Sequence, residues 1–366
     1  MNKRMISNTC KIVVNYRRFN LLKSFKAFNS TKSFELKLKE FGDLESSVFL
    51  NENELVHSNI KQNEILVKLI GSPINPADLN IIQGKYASLP NVLPAYIGNE
   101  GVFEVIKSSR ESLLKPGDWV LPKKLGWGAW RSFAIENENE FIKVPNDLDK
   151  NICASLKVNP CTALRMLKDF MKLKKGDTII QNGANSGVGQ SVIQFAKVFG
   201  VNVINIVRKR ENLDELCSYL KTIGAKYILT DEDLRKLNVT NELWKEIPKP
   251  KLALNCVGGK LTADMIRLLD SNSIMVTYGG MSRMPLTLNT SDFIFKNLTC
   301  TGFWLTEWRK RNEDKKFEEM IVEVLDLIKK SDFKAQKFQE YKLSEYKEAF
   351  KNSQSKYLKL KSLFVA

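Results

Sequence analysis

Apolar positions in the first part of the chain come in short runs broken by prolines. Between residues 34 and 155 the runs Glu64–Ile70, Gly101–Ile106, Asp118–Leu121 and Ser132–Ile135 are alternating or apolar. Pro73, Pro76, Pro94, Pro116 and Pro122 punctuate them. Strand-length runs bounded by turn formers predict a β-rich first domain. Lys115-Pro116-Gly117-Asp118 reads as a turn entering a strand, and Lys174-Lys175-Gly176-Asp177 repeats the device.

From about residue 156 the rhythm changes. Thr178–Gln181 is a short apolar strand, 182–187 a turn of small residues, and Val188–Phe199 has Val188, Val192, Phe195, Ala196 and Phe199 at helical spacing. Val201–Val207 is a second strand, Asn212–Ile223 a second helix and Lys226–Leu229 a third strand. Leu252–Val257 and Ser273–Tyr278 continue the strands, separated by a helical stretch at 260–270. Apolar strands alternating with helices predict an α/β domain whose parallel sheet is covered on both faces. An amphipathic helix follows at 313–330, and 341–366 has the length to return to the first domain.

Charge changes the picture at one end. The 366 residues hold 57 Lys+Arg against 41 Asp+Glu, a formal net charge of +16. Lys3, Arg4, Lys11, Arg17, Arg18, Lys23, Lys26 and Lys32 all precede the first carboxylate, Glu35, so half of the excess lies in residues 1–33. Leu21/Leu22, Phe25 and Phe28 recur there at helical spacing among Ser, Thr and Asn. A basic, acid-free, amphipathic start predicts a mitochondrial transit peptide over 1–33 and a place in the matrix. No apolar run approaches the roughly 18 residues of a membrane-spanning helix, so no membrane insertion is expected. Six cysteines without a CxxC pair argue for reduced thiols. His57 is the single histidine and reads as part of a surface turn. One histidine excludes His-clustered metal sites.

The candidate chemistry sits in the first crossover, Gln181-Asn182-Gly183-Ala184-Asn185-Ser186-Gly187-Val188-Gly189-Gln190. A small-residue turn between a buried strand and a helix lets backbone approach a pyrophosphate on the helix N-terminus. Its spacing is G-x-x-x-G-x-G, which differs from the plain dinucleotide fingerprint. The second strand ends in Arg208-Lys209-Arg210, where an NAD-binding chain would place Asp or Glu. Cations there predict pairing with the 2′-phosphate of NADPH. Tyr278-Gly279-Gly280-Met281 and Gly302-Phe303-Trp304-Leu305 fall at later strand ends, where ligands of open α/β sheets bind.

The order of these parts resembles the medium-chain dehydrogenase/reductase superfamily. Asn75-Pro76-Ala77-Asp78-Leu79-Asn80-x-x-Gln83-Gly84-x-Tyr86 is similar to a motif of its mitochondrial trans-2-enoyl-thioester reductases, on the zinc-free, quinone-oxidoreductase-like branch. Val158-Asn159-Pro160-Cys161-Thr162-Ala163 and the segments at 207–210, 278–281 and 303–305 are similar too. The resemblance implies a GroES-like catalytic domain (34–158, completed by 307–366) and a Rossmann domain (159–306) with a cleft between them. It implies NADPH-dependent reduction of enoyl-CoA or enoyl-acyl carrier protein in mitochondrial fatty acid synthesis, by a homodimer.

Carried over by position, Tyr86 is the proton donor and Asn159 contacts the cofactor near the nicotinamide ribose. Asn185, Ser186, Gly187 and Val188 hold the pyrophosphate, and Arg208, Lys209 and Arg210 the 2′-phosphate. Tyr278, Gly279, Gly280, Met281, Phe303, Trp304 and Leu305 line the nicotinamide. Lys356 stands for a C-terminal lysine that contacts cofactor in the family. Alcohol dehydrogenases of the superfamily carry a Gly-His-Glu zinc ligand; Gly98-Asn99-Glu100 lacks the histidine, so the resemblance implies a metal-free site. A quinone oxidoreductase is the nearest alternative. A nucleotide- or nucleic-acid-binding regulator is the distant one, and the scattered lysines of the remaining chain do not favour nucleic acid.

Overall fold

The computed structural model describes residues 30–57, 60–355 and 360–366. Most of the basic leader, residues 1–29, therefore lies outside the described residues, as does Lys356. The last four leader residues do not: strand β1 (Ser30–Leu38) begins at Ser30 and pairs antiparallel with β2 (Val48–Val56) along its whole length. Lys32 is ion-paired across this hairpin with Glu52 at 2.6 Å. The hairpin escapes a reading by hydrophobic pattern because the centre of β2 is Asn51-Glu52-Asn53-Glu54. His57 follows β2 in a half-buried loop.

The first domain continues with β3 (Glu64–Pro73), helix α1 (Pro76–Ile82), β4 (Ala95–Tyr96), β5 (Val102–Ser108), β6 (Trp119–Pro122), β7 (Phe133–Asn137), β8 (Phe141–Val144) and helix α2 (Lys150–Ala154). The four expected strands are β3, β5, β6 and β7, each within a few residues.

The second domain opens with helix α3 (Asn159–Asp169) and strand β9 (Thr178–Asn182), then α4 (Gly187–Phe199) and β10 (Asn202–Val207). Next come α5 (Leu213–Thr222), β11 (Tyr227–Thr230), α6 (Leu237–Glu246), β12 (Leu252–Asn255), α7 (Leu261–Arg267) and β13 (Ile274–Thr277). Helix α8 (Thr290–Lys296) leads into the last strand, β14 (Thr299–Gly302). These six strands are parallel, in the order β11-β10-β9-β12-β13-β14. That is the doubly wound order of a dinucleotide-binding fold, with its switch point between β9 and β12. β9 and β12 are buried at every residue, as strands covered on both faces must be.

Helices α9 (Leu305–Lys310) and α10 (Asp314–Ser331) follow, and α10 packs on α3 and α4 of this second domain. The return to the first sheet is made by β15 (Phe338–Lys342), α11 (Tyr346–Ser353) and β16 (Lys361–Val365). β16 inserts between β15 and β3, giving the order β15-β16-β3-β5-β6-β8 with β7 added beside β3. The chain end thus forms an interior strand of the first domain.

That strand closes an aromatic core. Trp130, Phe350 and Phe364 are fully buried, with Trp130–Phe364 ring centroids 5.1 Å apart and Trp130–Phe350 5.6 Å apart. Phe350 also meets Tyr346 edge to face at 5.7 Å. Phe350→Ala empties the centre of this cluster and should cost about 3–5 kcal/mol of first-domain stability. Urea unfolding followed by tryptophan fluorescence measures it; a loss below about 1 kcal/mol would contradict the packing.

Candidate active site

The crossover turn is built for a close backbone approach. Ser186 caps α4, its Oγ accepting from Gly189 N at 3.1 Å, and leaves the first-turn N–H groups of Gly187 and Val188 facing outward without intrahelical partners. A Cβ on Gly187 would sit 2.6 Å from Asn159 Nδ2, and one on Gly189 2.6 Å from the Ala184 carbonyl oxygen. Backbone excludes any side chain at Gly189, and at Gly187 a side chain fits only if the Asn159 amide moves aside. Beneath the turn the sheet is polar: Gln181 Nε2 donates to Asn205 Oδ1 at 2.8 Å and to Gly189 O at 3.0 Å. Asn182 Nδ2 donates to Asn255 Oδ1 at 2.7 Å, while Asn182 Oδ1 accepts from Cys256 N. These buried amides pin the carboxyl ends of β9, β10 and β12 around the switch point.

Beyond β10 the three cations divide. Arg208 is exposed, whereas Lys209 pairs with Glu232 at 2.7 Å and its backbone N–H donates to Asp231. Arg210 is half-buried. After β13, Tyr278 N donates to Asn255 O and Met281 N to Cys256 O, which folds 278–281 back over the end of β12. The Tyr278 hydroxyl is buried beside Cys256 and Ser186 without a well-formed hydrogen bond, and burial drives its pKa well up. Gly280 is exposed and Met281 is 60% exposed. After β14, Phe303 meets Phe170 edge to face at 5.9 Å, and Leu305 is buried.

Trp304 reaches the other domain. Its Nε1–H donates to Tyr86 Oη at 2.8 Å, and the two rings meet edge to face at 5.8 Å. Tyr86 lies in the loop after α1, held by the Gln83–Lys85 turn in which Lys85 N donates to Asn80 O. The indole N–H can only donate, so the phenol oxygen accepts from it and the phenol keeps its own proton to donate, with the Thr306 side chain also in hydrogen-bonding reach. Burial raises the Tyr86 pKa above its ordinary 10, so the group is protonated at neutral pH.

Next to this loop lies a buried polar cluster. Asn75 N donates to Asp78 Oδ2 at 2.7 Å, closing the first turn of α1. The Asn75 side chain turns away from the helix: Nδ2 donates to Glu100 Oε1 at 2.7 Å, and Oδ1 accepts from Lys361 Nζ at 2.5 Å. Asn99, in the place of a zinc-binding histidine, spends its backbone and side-chain N–H groups on Asp78 Oδ1 at 2.9 and 2.7 Å. Burial pushes the Asp78 carboxyl up to about 7, opposed by those backbone donors and aided by the nearby Glu100 charge.

Two families match the chain: the alcohol dehydrogenase GroES-like domain over residues 61–146 and the zinc-binding dehydrogenase family over 187–326. The mitochondrial enoyl-[acyl-carrier-protein] reductase of Homo sapiens is 43% identical over 323 residues, covering 88% of this chain and 86% of the relative. The chain belongs to the mitochondrial enoyl-[acyl-carrier-protein] reductases. A structure of Etr1p with NADP and crotonyl-CoA aligns with TM-score 0.85 and 35% identity over 92% of this chain and 100% of that one. The mitochondrial 2-enoyl thioester reductase heterodimer of Candida tropicalis aligns with TM-score 0.83 and 36% identity over the same shares.

The reductase is an NADPH-dependent mitochondrial oxidoreductase, and its residues fit that cofactor. Asn159 Nδ2 is buried without a partner in the structure and faces the bare Gly187 backbone, and the Arg208 cation stands open at the end of β10. The fold brings Tyr86, Asn159, 185–188, 208–210, 278–281 and 303–305 to the carboxyl edge of one sheet and the loop above it. Lys361, Glu100 and Asp78 belong to the same neighbourhood and are missed by sequence reasoning, which takes isolated charges as surface.

Gly187→Ala tests the turn. The reductase variant should fold normally yet bind NADPH more than tenfold more weakly, because the added methyl displaces Asn159. Fluorescence titration with NADPH reads this, and unchanged affinity would show that the turn has room to spare.

Proposed function

We propose that this reductase saturates the 2,3 double bond of trans-2-enoyl thioesters, on CoA or acyl carrier protein, with Tyr86 as proton donor. The observation that carries the reading is the Trp304-to-Tyr86 hydrogen bond, in which the phenol accepts at its oxygen and keeps a proton to give at the mouth of the nucleotide fold. NADPH, when bound, supplies hydride for C3 of the substrate. Negative charge then develops as an enolate on the thioester, and an acid must protonate C2. Tyr86 is protonated across the neutral range and gives up that proton to C2 or hydrogen-bonds the enolate.

On this reading Asn159 holds the cofactor near its nicotinamide ribose and the 185–188 backbone holds the pyrophosphate. Arg208 and Arg210 pair with the 2′-phosphate; Lys209 joins them once it exchanges Glu232, a change that costs little for an exposed ion pair. The segments 278–281 and 303–305 line the nicotinamide. Besides Lys356, which lies outside the described residues, Lys361 is a second candidate for the C-terminal lysine that the resemblance assigns to the cofactor: it is buried on β16 and bonded to the Asn75 motif.

Tyr86→Phe should lower kcat for crotonyl-CoA on the order of a hundredfold, with NADPH affinity nearly unchanged. NADPH absorbance with enoyl thioesters and with quinones in parallel assays separates the readings. Turnover of quinones without any of enoyl-CoA would overturn the assignment, and full activity of Tyr86→Phe would remove the donor role alone.

We infer further that the reductase is a homodimer joined along β14. Among the described residues that strand ends the six-stranded sheet with one edge unpaired, and exposed edges are usually blocked or paired. Beside it Met281, Met284, Ile294 and Phe295 are 60%, 64%, 66% and 79% exposed, an apolar surface of the kind that a second copy covers. Phe295→Glu should shift the protein to monomer in light scattering after size exclusion. A wild-type protein already monomeric at micromolar concentration would refute the dimer.

A further inference from the structure

The two halves of the site come from different domains, and one buried side chain touches the supports of both. Glu100 is fully buried on the loop before β5. Its Oε1 accepts from Asn75 Nδ2 at 2.7 Å, and Asn75 begins the α1 unit whose following loop carries Tyr86. Its Oε2 accepts from Val158 N at 2.9 Å, and Val158 directly precedes Asn159 at the start of the second domain. The Glu100 carbonyl oxygen is itself anchored by Ser72 Oγ of β3. We propose that Glu100 is a positioning residue that sets the Tyr86 loop and the Asn159 end of the cofactor site at a fixed separation.

The polarity of the cluster leaves no substitute for a carboxylate. Both oxygens of Glu100 face donors, so both must accept. An amide in its place would turn an NH2 group toward Asn75 Nδ2 or Val158 N. Rotating the Asn75 amide to compensate would aim its own NH2 at the Lys361 ammonium, which now bonds Asn75 Oδ1. The charge is balanced from two sides. Lys361 approaches through Asn75, and Lys157, also buried, donates to the carbonyl oxygens of Pro122 and Lys124 within reach of the Glu100 field. Burial alone raises the Glu100 pKa, and Lys361 is the strongest influence that pulls it back toward the ionised form.

The inference rests on the assignment of Tyr86 and Asn159 above, and its test separates the two. Glu100→Gln should weaken NADPH binding by about tenfold in a fluorescence titration, because one buried donor is left unpaired at the Val158 or the Asn75 side. It should also lower kcat with crotonyl-CoA by about tenfold, while circular dichroism stays that of the folded enzyme. In the Tyr86→Phe background the further loss of kcat should shrink to less than threefold, since the donor that Glu100 positions is already gone. If Glu100→Gln does not fold, Glu100→Asp keeps the charge and, one methylene shorter, reaches only one partner. It should then move NADPH affinity, kcat or both by more than twofold. A folded Glu100→Gln or Glu100→Asp variant with both quantities within twofold of wild type would overturn the proposal, and so would fully additive losses in the double variant. The NADPH titration involves no turnover, so it stands even if Tyr86→Phe shows the donor to be another group.

Discussion

Everything chemical in this protein depends on two domains staying in register across a cleft. Tyr86 and Trp304 are 218 residues apart in sequence, yet their 2.8 Å hydrogen bond places the phenol against the nucleotide fold. Neither partner is useful alone. Without Trp304 the phenol loses the donor that occupies its oxygen, and without Tyr86 the indole loses the acceptor of its N–H. A relative shift of about 1 Å between the domains would break a bond of this length. The return of the chain end to the first sheet serves the same register, since β16 brings Lys361 beneath the Tyr86 loop after α10 has packed on the second domain.

The nucleotide turn and the cluster around Glu100 solve opposite problems with the same economy of space. At 183–189 the requirement is absence: Gly187 and Gly189 leave room because a Cβ at either would collide at 2.6 Å. Around Asn75 the requirement is full occupancy, with each oxygen of Glu100 and Asp78 accepting from a named donor. Buried charge costs several kcal/mol unless it is satisfied in this way. Asn99 shows how the fold manages without a histidine in the ligand position, by converting that side chain into a hydrogen-bonding prop for α1.

Much of this was legible in the sequence where burial leaves a repeating mark. Parallel strands covered on both faces read as unbroken apolar runs, so β9, β10 and β12 stand out, and α4 announces itself through Val192, Phe195 and Ala196. The small-residue turn and the cations after β10 were legible because their residue types are rare there for any other reason. The β1–β2 hairpin was not, since Asn51 to Glu54 interrupt its pattern and the basic residues before Glu35 read as leader. Lys361, Glu100 and Asp78 were illegible because a lone charged residue carries no sign of burial. Only the three-dimensional neighbours, 286 residues away for Lys361 and Asn75, turn a surface residue type into an interior one. The pairing of Lys209 with Glu232 was hidden in the same manner, by a neighbouring strand.

The early start of β1 also bounds the transit peptide expected from the sequence. Ser30 to Ser33 are paired with Asn53 to Val56, so a peptidase acting in the organelle has to cut before Ser30 if the hairpin is to keep its full ladder. Such a cut discards the seven cations from Lys3 to Lys26 and spares Lys32, taking the formal charge from +16 to +9. The basic stretch thus runs into the fold, and its last cation, Lys32, belongs to the hairpin.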